Sequence, residues 1–311
     1  MMRHALAAMV LAALCPQRVS SQDTQKATPS SEQWAILTTP ELLAQFEAAK
    51  YAWQQGEIAS QLIIRGDLSV LARMEELSRV EDRKRRCNAA FVLDGLGDKR
   101  GLAILIAEVR DTKPRAINAD EVRGKPSMAH QIISDRYSAA HLLGEIGRED
   151  AIPPLIELLK DDQLAYVAAA SLSKLGVRTA IPDIHEMANR FPQHREEAAA
   201  ALAALGDARG LEMLVEFLDS ELDYSLRCRA LFAMQVSGSV KQQPVILKAL
   251  EDPHANVRVS AARALKEVGD SQALPLLRKA ATDKTVPPWH APTTVSAEAI
   301  AAIEAIEGRS K

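Results

Sequence analysis

Apolar residues along this chain fall into short stripes of helical spacing, punctuated by glycine. Six stripes share one form: an alanine, an apolar residue four positions later, and a glycine four after that. The alanines are Ala89, Ala139, Ala168, Ala198, Ala230 and Ala261. The middle residues are Leu93, Leu143, Leu172, Leu202, Met234 and Leu265, and the glycines are Gly97, Gly147, Gly176, Gly206, Gly238 and Gly269. The i, i+4 spacing, often extended to i+7 as in Ala139, Leu143 and Ile146, marks one face of a helix with 3.6 residues per turn. A second stripe at i, i+3, i+7 follows the glycine, as in Ile152, Leu155, Leu159 or Leu274, Leu277, Ala281. No comparable run alternates as a half-buried strand does. The pattern therefore predicts pairs of helices, the first of each pair rich in alanine so that neighbouring helices approach closely.

Polar and special residues punctuate the pairs at fixed places. Each glycine suits the left-handed position that ends a helix. Asp98, Asp207 and Asp270 follow their glycines directly and are placed to cap the second helix. Pro153, Pro182, Pro244 and Pro275 each lie six residues after a glycine. Proline is tolerated there because the first helical turn has no intrahelical use for its missing N–H.

A unit of about 30 residues that cannot bury its own apolar face alone is the signature of a stacked repeat. The fold class read from this pattern is all-α, an α-solenoid of antiparallel helix pairs. The clearest copy runs Asp252-Pro253-His254-Ala255-Asn256-Val257-Arg258-Val259-Ser260-Ala261-Ala262-Arg263-Ala264-Leu265 and on to Val268-Gly269-Asp270. On these residues the units resemble HEAT repeats, in the short form shared by many bacterial proteins and by phycobilin lyases. The stretch from Asp135 to Gly144 is similar to exported bacterial HEAT-repeat proteins. The resemblance covers 83–283, begins near 56, and is specific for architecture. Repeat arrays of this type host many unrelated roles. What it implies is a surface that binds other proteins; the alternative is a chromophore-handling protein like the phycobilin lyases, or another enzyme on the HEAT fold.

The flanks depart from the repeat. Residues 22–38 read as a flexible leader, rich in Gln, Ser and Thr. Residues 39–82 read as capping helices and a degenerate unit. Thr39 is expected to cap a helix with Pro40 at its first position, and Gly56 is expected to end that helix. Trp34, Phe46, Tyr51 and Trp53 concentrate a third of the aromatic residues at this end. They read either as filling for an open end or as a docking patch, with Trp53 the candidate contact. Residues 284–311 read as the second cap, with Trp289 beneath a last helix from about Ser296 to Glu307.

Between Gly97 and Gly147 the spacing is 50, against 29 to 32 elsewhere. The additional residues, 111–134, read as an insertion projecting from one face, the kind of segment that carries binding in repeat proteins. Lys113, Arg115, Arg123 and Lys125 lie in it, and Arg83 and Arg85 open the neighbouring first helix. Together they form the candidate site for an acidic partner.

The N-terminus changes the picture of location. Arg3 and His4 precede an apolar run from Ala5 to Leu14, and Val19 and Ser21 occupy the small-residue positions before a cut at Gln22. This reads as a signal peptide over 1–21 and an exported protein, periplasmic or secreted. Leu11-Ala12-Ala13-Leu14-Cys15 resembles a bacterial lipobox, with Leu14 where Gly or Ala is expected. Membrane association is expected only through such an anchor. A formal charge of −3 without an extended basic face argues against nucleic acid as a partner.

The remaining cysteines, Cys87 and Cys228, stand four layers apart, roughly 35–40 Å at the ~9–10 Å spacing of packed helices. Two unpaired thiols are expected, since a disulfide needs Cα atoms within about 7 Å. No phosphate loop, nucleophile elbow or paired-Cys motif is present. His185-Glu186 is the single His-Glu pair, where the iron-binding HEAT enzymes carry several. His141 reads as a surface or interhelix residue, and Glu196-Glu197 as a solvated helix end. No cofactor, no metal and no catalytic residue are expected.

Overall fold

A computed structural model describes residues 31–114, 128–219, 224–237, 240–287 and 293–309. The signal segment 1–21, most of the leader, Arg115, Arg123, Lys125, Gly238 and Trp289 lie outside the described residues. Two short helices, α1 (Ser31–Ala35) and α2 (Thr39–Ala48), open the chain. Seven helix pairs follow: α3 (Ala52–Arg65) with α4 (Leu71–Leu77), α5 (Arg83–Gly95) with α6 (Arg100–Arg110), α7 (Met128–Ile146) with α8 (Ile152–Leu158), α9 (Ala165–Lys174) with α10 (Ile181–Arg190), α11 (Arg195–Ala204) with α12 (Ala208–Asp219), α13 (Tyr224–Ser237) with α14 (Gln243–Ala249), and α15 (Ala255–Val268) with α16 (Leu274–Ala280). A single helix, α17 (Val295–Arg309), closes the array. Among the described residues there is no strand.

The first helices stack directly on one another from α3 to α17, and each second helix packs on the first helix of the next unit. The alanine stripe explains this layer. Ala89, Ala139, Ala168, Ala198, Ala230 and Ala261 are all buried, so the α-carbon surfaces of successive first helices meet with little side chain between them. The core falls into three buried clusters along the stack, joined by the partly buried Phe91, Ile104 and Met213: Phe46, Leu62 and Met74 at the opening end, Leu143, Leu172 and Leu202 in the middle, and Leu231, Leu265 and Leu277 towards the close.

The punctuation follows the sequence with two exceptions. Gly97, Gly147, Gly176 and Gly206 all take positive φ at the end of a first helix. The side chains of Asp98, Asp207 and Asp270 accept backbone N–H bonds from Arg100, Gly210 and Gln272 at 2.8–3.1 Å. The four prolines stand in the first turn of their helices, and each of those helices is preceded by one turn of 3-10 helix. Gly269 differs, with φ −73° and ψ 146°. A Cβ there would lie 2.4 Å from the Leu265 carbonyl oxygen and 2.9 Å from Ile306 Cδ1, so this glycine admits the closing helix rather than a left-handed turn. Gly56 also differs. It lies inside α3, and the break expected there falls instead at Ala49–Tyr51, because Gln55, Ile58, Ala59 and Leu62 form one buried stripe across it.

Two smaller corrections concern boundaries. The cap of α2 is Thr38 rather than Thr39: its N–H and hydroxyl both bond Glu41, at 2.8 and 2.7 Å. The inserted stretch is shorter than 111–134, since α7 begins at Met128 and is 19 residues long. Residues 128–134 are helical and continue the first helix of the second unit by nearly two extra turns.

A candidate interaction surface

The basic residues at the start of α5 are used inside the fold. The Arg83 side chain is 7% exposed, with its guanidinium 2.7 Å from Asp111 and 3.7 Å from Glu108. It also donates to the Lys113 carbonyl at 3.2 Å. Arg86 bonds Glu108 and the Val80 carbonyl, and Arg85 donates to the Ala49 carbonyl at 3.3 Å. Arg83 thus anchors the root of the inserted segment instead of presenting charge, because a buried guanidinium must be neutralised by carboxylates. Lys113 is exposed beside it. Arg115, Arg123 and Lys125 lie outside the described residues.

Arg–Asp pairs recur along the stack in a pattern that apolar stripes do not reveal. Arg136 meets Asp161 at 2.7 Å, Arg227 meets Asp252 at 2.8 Å and Arg258 meets Asp283 at 2.9 Å. Each arginine stands eleven residues before its glycine, and each aspartate fourteen after it. The pair ties a first helix to the residue three places past the end of its own second helix. Burial pushes the Asp283 carboxyl up, but the Thr285 hydroxyl and N–H and the Arg258 guanidinium outweigh it and hold the group below its ordinary value. The third unit has Ala165 and Arg190 at these two places and makes no such pair. A 25-residue Arg-to-Asp spacing was the signal available in the sequence.

Side chains outside the ladder form a row of rings. Tyr137 and Tyr166 both stand ten residues before their glycines, on α7 and α9, with ring centroids 5.9 Å apart. The ring of Tyr166 is 5.2 Å from that of His194, which meets Phe191 at 6.4 Å. Arg190 lies over Phe191 at 5.4 Å. His194 Nε2 is 2.7 Å from the Asp162 carbonyl oxygen. A carbonyl only accepts, so Nε2 carries the hydrogen. The row spans the second, third and fourth units, and all three of Tyr137, Tyr166 and His194 are half-buried.

Below the row, Tyr137, His141 and Glu145 follow one another at i, i+4, i+8 on α7. His141 Nε2 is 3.7 Å from Glu145, and Lys174 of α9 pairs with the same carboxylate. Burial holds His141 below its usual value; Glu145 opposes and Lys174 adds to the shift. Glu196 is not a solvated end. It is paired with Arg229 across α11 and α13, and burial raises its carboxyl above the ordinary range.

The other polar candidates have structural partners. His185 Nε2 is 3.1 Å from Asp207, the residue that caps α12. Among the described residues no three His, Cys, Asp or Glu side chains come together as metal ligands. Cys87 is fully buried, and burial and the nearby Glu108 and Asp135 push its thiol up, away from the reactive thiolate. Cys228 is half-buried, and neither cysteine is in a disulfide. Trp53 is 47% exposed and stacks on Tyr51 at 6.3 Å with 13° between the planes. Trp34 and Phe46 are buried, so the four aromatics of this end divide into two that fill the core and two that face water. No described helix is long and apolar enough to cross a membrane.

Comparison with known proteins places these units. The family described as HEAT repeats matches residues 211–291. The family described as PBS lyase HEAT-like repeat matches 135–161 and 195–220. The chain carries HEAT repeats. Among solved structures, the complex of CpcE and CpcF of phycocyanin lyase from Nostoc sp. PCC7120 is similar at 22% identity, over 76% of this chain and 92% of that one, with a TM-score of 0.46. The Escherichia coli protein YibA is similar at 16% identity, over 91% and 99%, with a TM-score of 0.40. A designed armadillo repeat protein in complex with a (KR)4 peptide is similar at 17% identity, over 87% and 100%, with a TM-score of 0.34. No curated protein matches this HEAT-repeat chain.

Proposed function

We propose that this HEAT-repeat protein is a non-catalytic scaffold that binds other proteins through its stacked first helices, outside the cytoplasm. The observation that carries the reading is the ring row Tyr137, Tyr166 and His194. Tyr137 and Tyr166 repeat at the period of the fold, His194 extends them, and together they set half-buried rings on three successive units. Rigid aromatic side chains are the usual anchors of protein interfaces. Export rests on the basic start, apolar run and cut site within residues 1–21, and a lipid anchor at Cys15 is the variant of that proposal. The insertion around Lys113 contributes a second contact under the same reading.

The test is affinity capture from an envelope extract, read by mass spectrometry. Three baits are compared: the protein, a Tyr137→Ala/Tyr166→Ala variant, and a variant with 115–127 replaced by a Gly/Ser linker. A partner lost in the tyrosine variant supports the first-helix face. A partner lost only with the linker moves the contact to the insertion. Folded baits that capture nothing contradict the scaffold.

A second reading is supported by the PBS lyase HEAT-like repeat matches, one of which includes Tyr137. It is a chromophore-handling protein holding a bilin against the same rings. New visible absorbance on adding bilin, removed by the same tyrosine variant, would decide for it.

A further inference from the structure

The opening end of the stack is unfinished in a specific way. α3 is 14 residues long, and its inner stripe of Gln55, Ile58, Ala59 and Leu62 is buried. Its outer side carries Trp53, Glu57, Ser60 and Ile64, spaced four, three and four residues apart, and all four are exposed. This stripe lies on the flank where a preceding first helix would pack in a longer array. Trp34 of α1 donates to Glu57 at 3.1 Å, which fixes the direction. α1 is only five residues long and covers a fraction of that flank. The guanidinium of Arg65, the residue after Ile64, donates to the carbonyls on either side of Ile36, those of Ala35 and Leu37. Ile36 is 82% and Ile64 74% exposed. Of the nine large hydrophobic residues exposed among the described residues, Ile36, Tyr51, Trp53, Ile64 and Leu68 are at this end.

Charge selects the occupant. Residues 31–82 hold nine acids and four bases, a net −5, while the whole chain is −3. The acidity is thus concentrated at this end: with residues 1–21 and their Arg3 and Arg18 removed, the rest of the chain is net neutral. Two copies meeting through this end would oppose like charges, as would an anionic lipid surface. Residues 22–30, which adjoin α1, contain no Leu, Ile, Val, Met or aromatic residue and have no apolar face to lay on the stripe. We propose that this end docks a basic amphipathic helix of a partner protein. The helix adds to the stack as a missing first helix, its apolar side on Trp53 and Ile64 and its lysines or arginines towards the surrounding carboxylates. The proposal rests on the scaffold reading and names a second surface for it, distinct from the ring row.

The experiment titrates the full chain with a fluorescently labelled Leu/Lys amphipathic helix of about four turns, and with its Leu/Glu counterpart. Anisotropy is read for the protein, for Trp53→Ser/Ile64→Ser, and for Tyr137→Ala/Tyr166→Ala. The expected result is saturable binding of the Leu/Lys helix, weakened at least tenfold in the Trp53/Ile64 variant, unchanged in the tyrosine variant and absent for Leu/Glu. Trp53 and Ile64 are exposed and Tyr137 and Tyr166 half-buried, so far-UV circular dichroism is read for both variants to check that each keeps its helices. Equal affinity in the Trp53/Ile64 variant, equal binding of Leu/Glu, or no binding overturns the proposal. So does self-association or vesicle binding that disappears with Trp53 and Ile64. A partner captured from extract by the Trp53/Ile64 variant but lost by the tyrosine variant sinks this inference and leaves the scaffold standing. Capture by none of them sinks the scaffold itself.

Discussion

The two ends of the stack solve the same problem with opposite results. At the closing end, α17 is 15 residues long and buries Val295, Ala299, Ala302 and Ile306 against the last pair. It is also tied by polar contacts: Arg263 to Glu298 at 2.8 Å, the Ser296 hydroxyl to the Ala281 carbonyl at 2.6 Å, and Arg309 to the carbonyls of Lys266 and Gly269. At the opening end, α1 spans five residues against a fourteen-residue neighbour, and tryptophan and isoleucine stay in water. Both ends are apolar in sequence. The length of the capping helix decides which apolar residues become core and which remain available.

Matched substitutions should expose the difference. Ile306→Ala removes a fully buried side chain and is expected to cost about 2–5 kcal/mol. Ile64→Ala trims an exposed one and is expected to stay within about 0.5 kcal/mol. Hydrogen exchange on α15 and α17 reads the first effect better than a single melting midpoint, because a repeat stack opens from its ends. Similar costs at both sites would mean that the opening stripe is buried in solution.

The glycines at the two ends should fail for different reasons. Gly66 ends α3 at φ +67° with nothing within 4 Å of an added Cβ. Gly66→Ala is expected to cost roughly 1–2 kcal/mol from the left-handed backbone alone, and Gly66→Asn to recover part of it. Gly269 has ordinary dihedrals but no room, so Gly269→Ala is expected to cost roughly 1–3 kcal/mol and Gly269→Asn more. A rescue by Asn at 269 would contradict the steric account.

Ladder pairs are the next step down. Arg258→Met keeps the aliphatic stem and leaves Asp283 without its guanidinium, for an expected loss of about 1–3 kcal/mol in the last pair. The third unit lacks this pair naturally, so its amides are expected to exchange no faster than those of the altered last unit. The comparison turns on whether the arginine or the apolar face sets local stability.

The sequence made the period, the helix pairs, the capping aspartates and the first-turn prolines legible, because each depends on residues within one unit. Gly269 was misread because its constraint is steric rather than conformational: an added Cβ meets the Leu265 carbonyl and Ile306 of the closing helix. Arg83 looked like surface charge because its partners, Glu108 at the end of α6 and Asp111 just after it, are 25 and 28 residues away in sequence. The ring row was within reach: Tyr137 and Tyr166 hold the same place relative to their glycines, so a unit-by-unit alignment of polar and aromatic positions would have shown it. His194 would not have joined them, since it is two residues out of register and meets Tyr166 only through the turn before α11.

Acid should loosen the closing end through a carboxylate that ties two helices, as Glu47 of α2 and Arg73 of α4 do at the opening end. Burial pushes the Glu298 carboxyl up, but Arg263 and the Thr293 hydroxyl outweigh it and hold the group below its ordinary 4.5. A carboxylate depressed in the folded state contributes stability that is present above pH 4.5 and lost as pH falls through the lower folded value. Glu298→Gln is therefore expected to weaken α17 at neutral pH by on the order of 0.5 kcal/mol, with the gap to the unaltered protein narrowing below pH 4.5. Glu41 at the opening end is also held low, by the Thr38 hydroxyl and N–H within its own turn. Glu41→Gln should show the same acid narrowing, confined to the first turn of α2. The Glu298 change should instead speed exchange along α15 as well, since its partner Arg263 is on that helix. Exchange confined to α17 in Glu298→Gln would show that the closing helix is held by its apolar face and that its ion pair adds nothing to the seal.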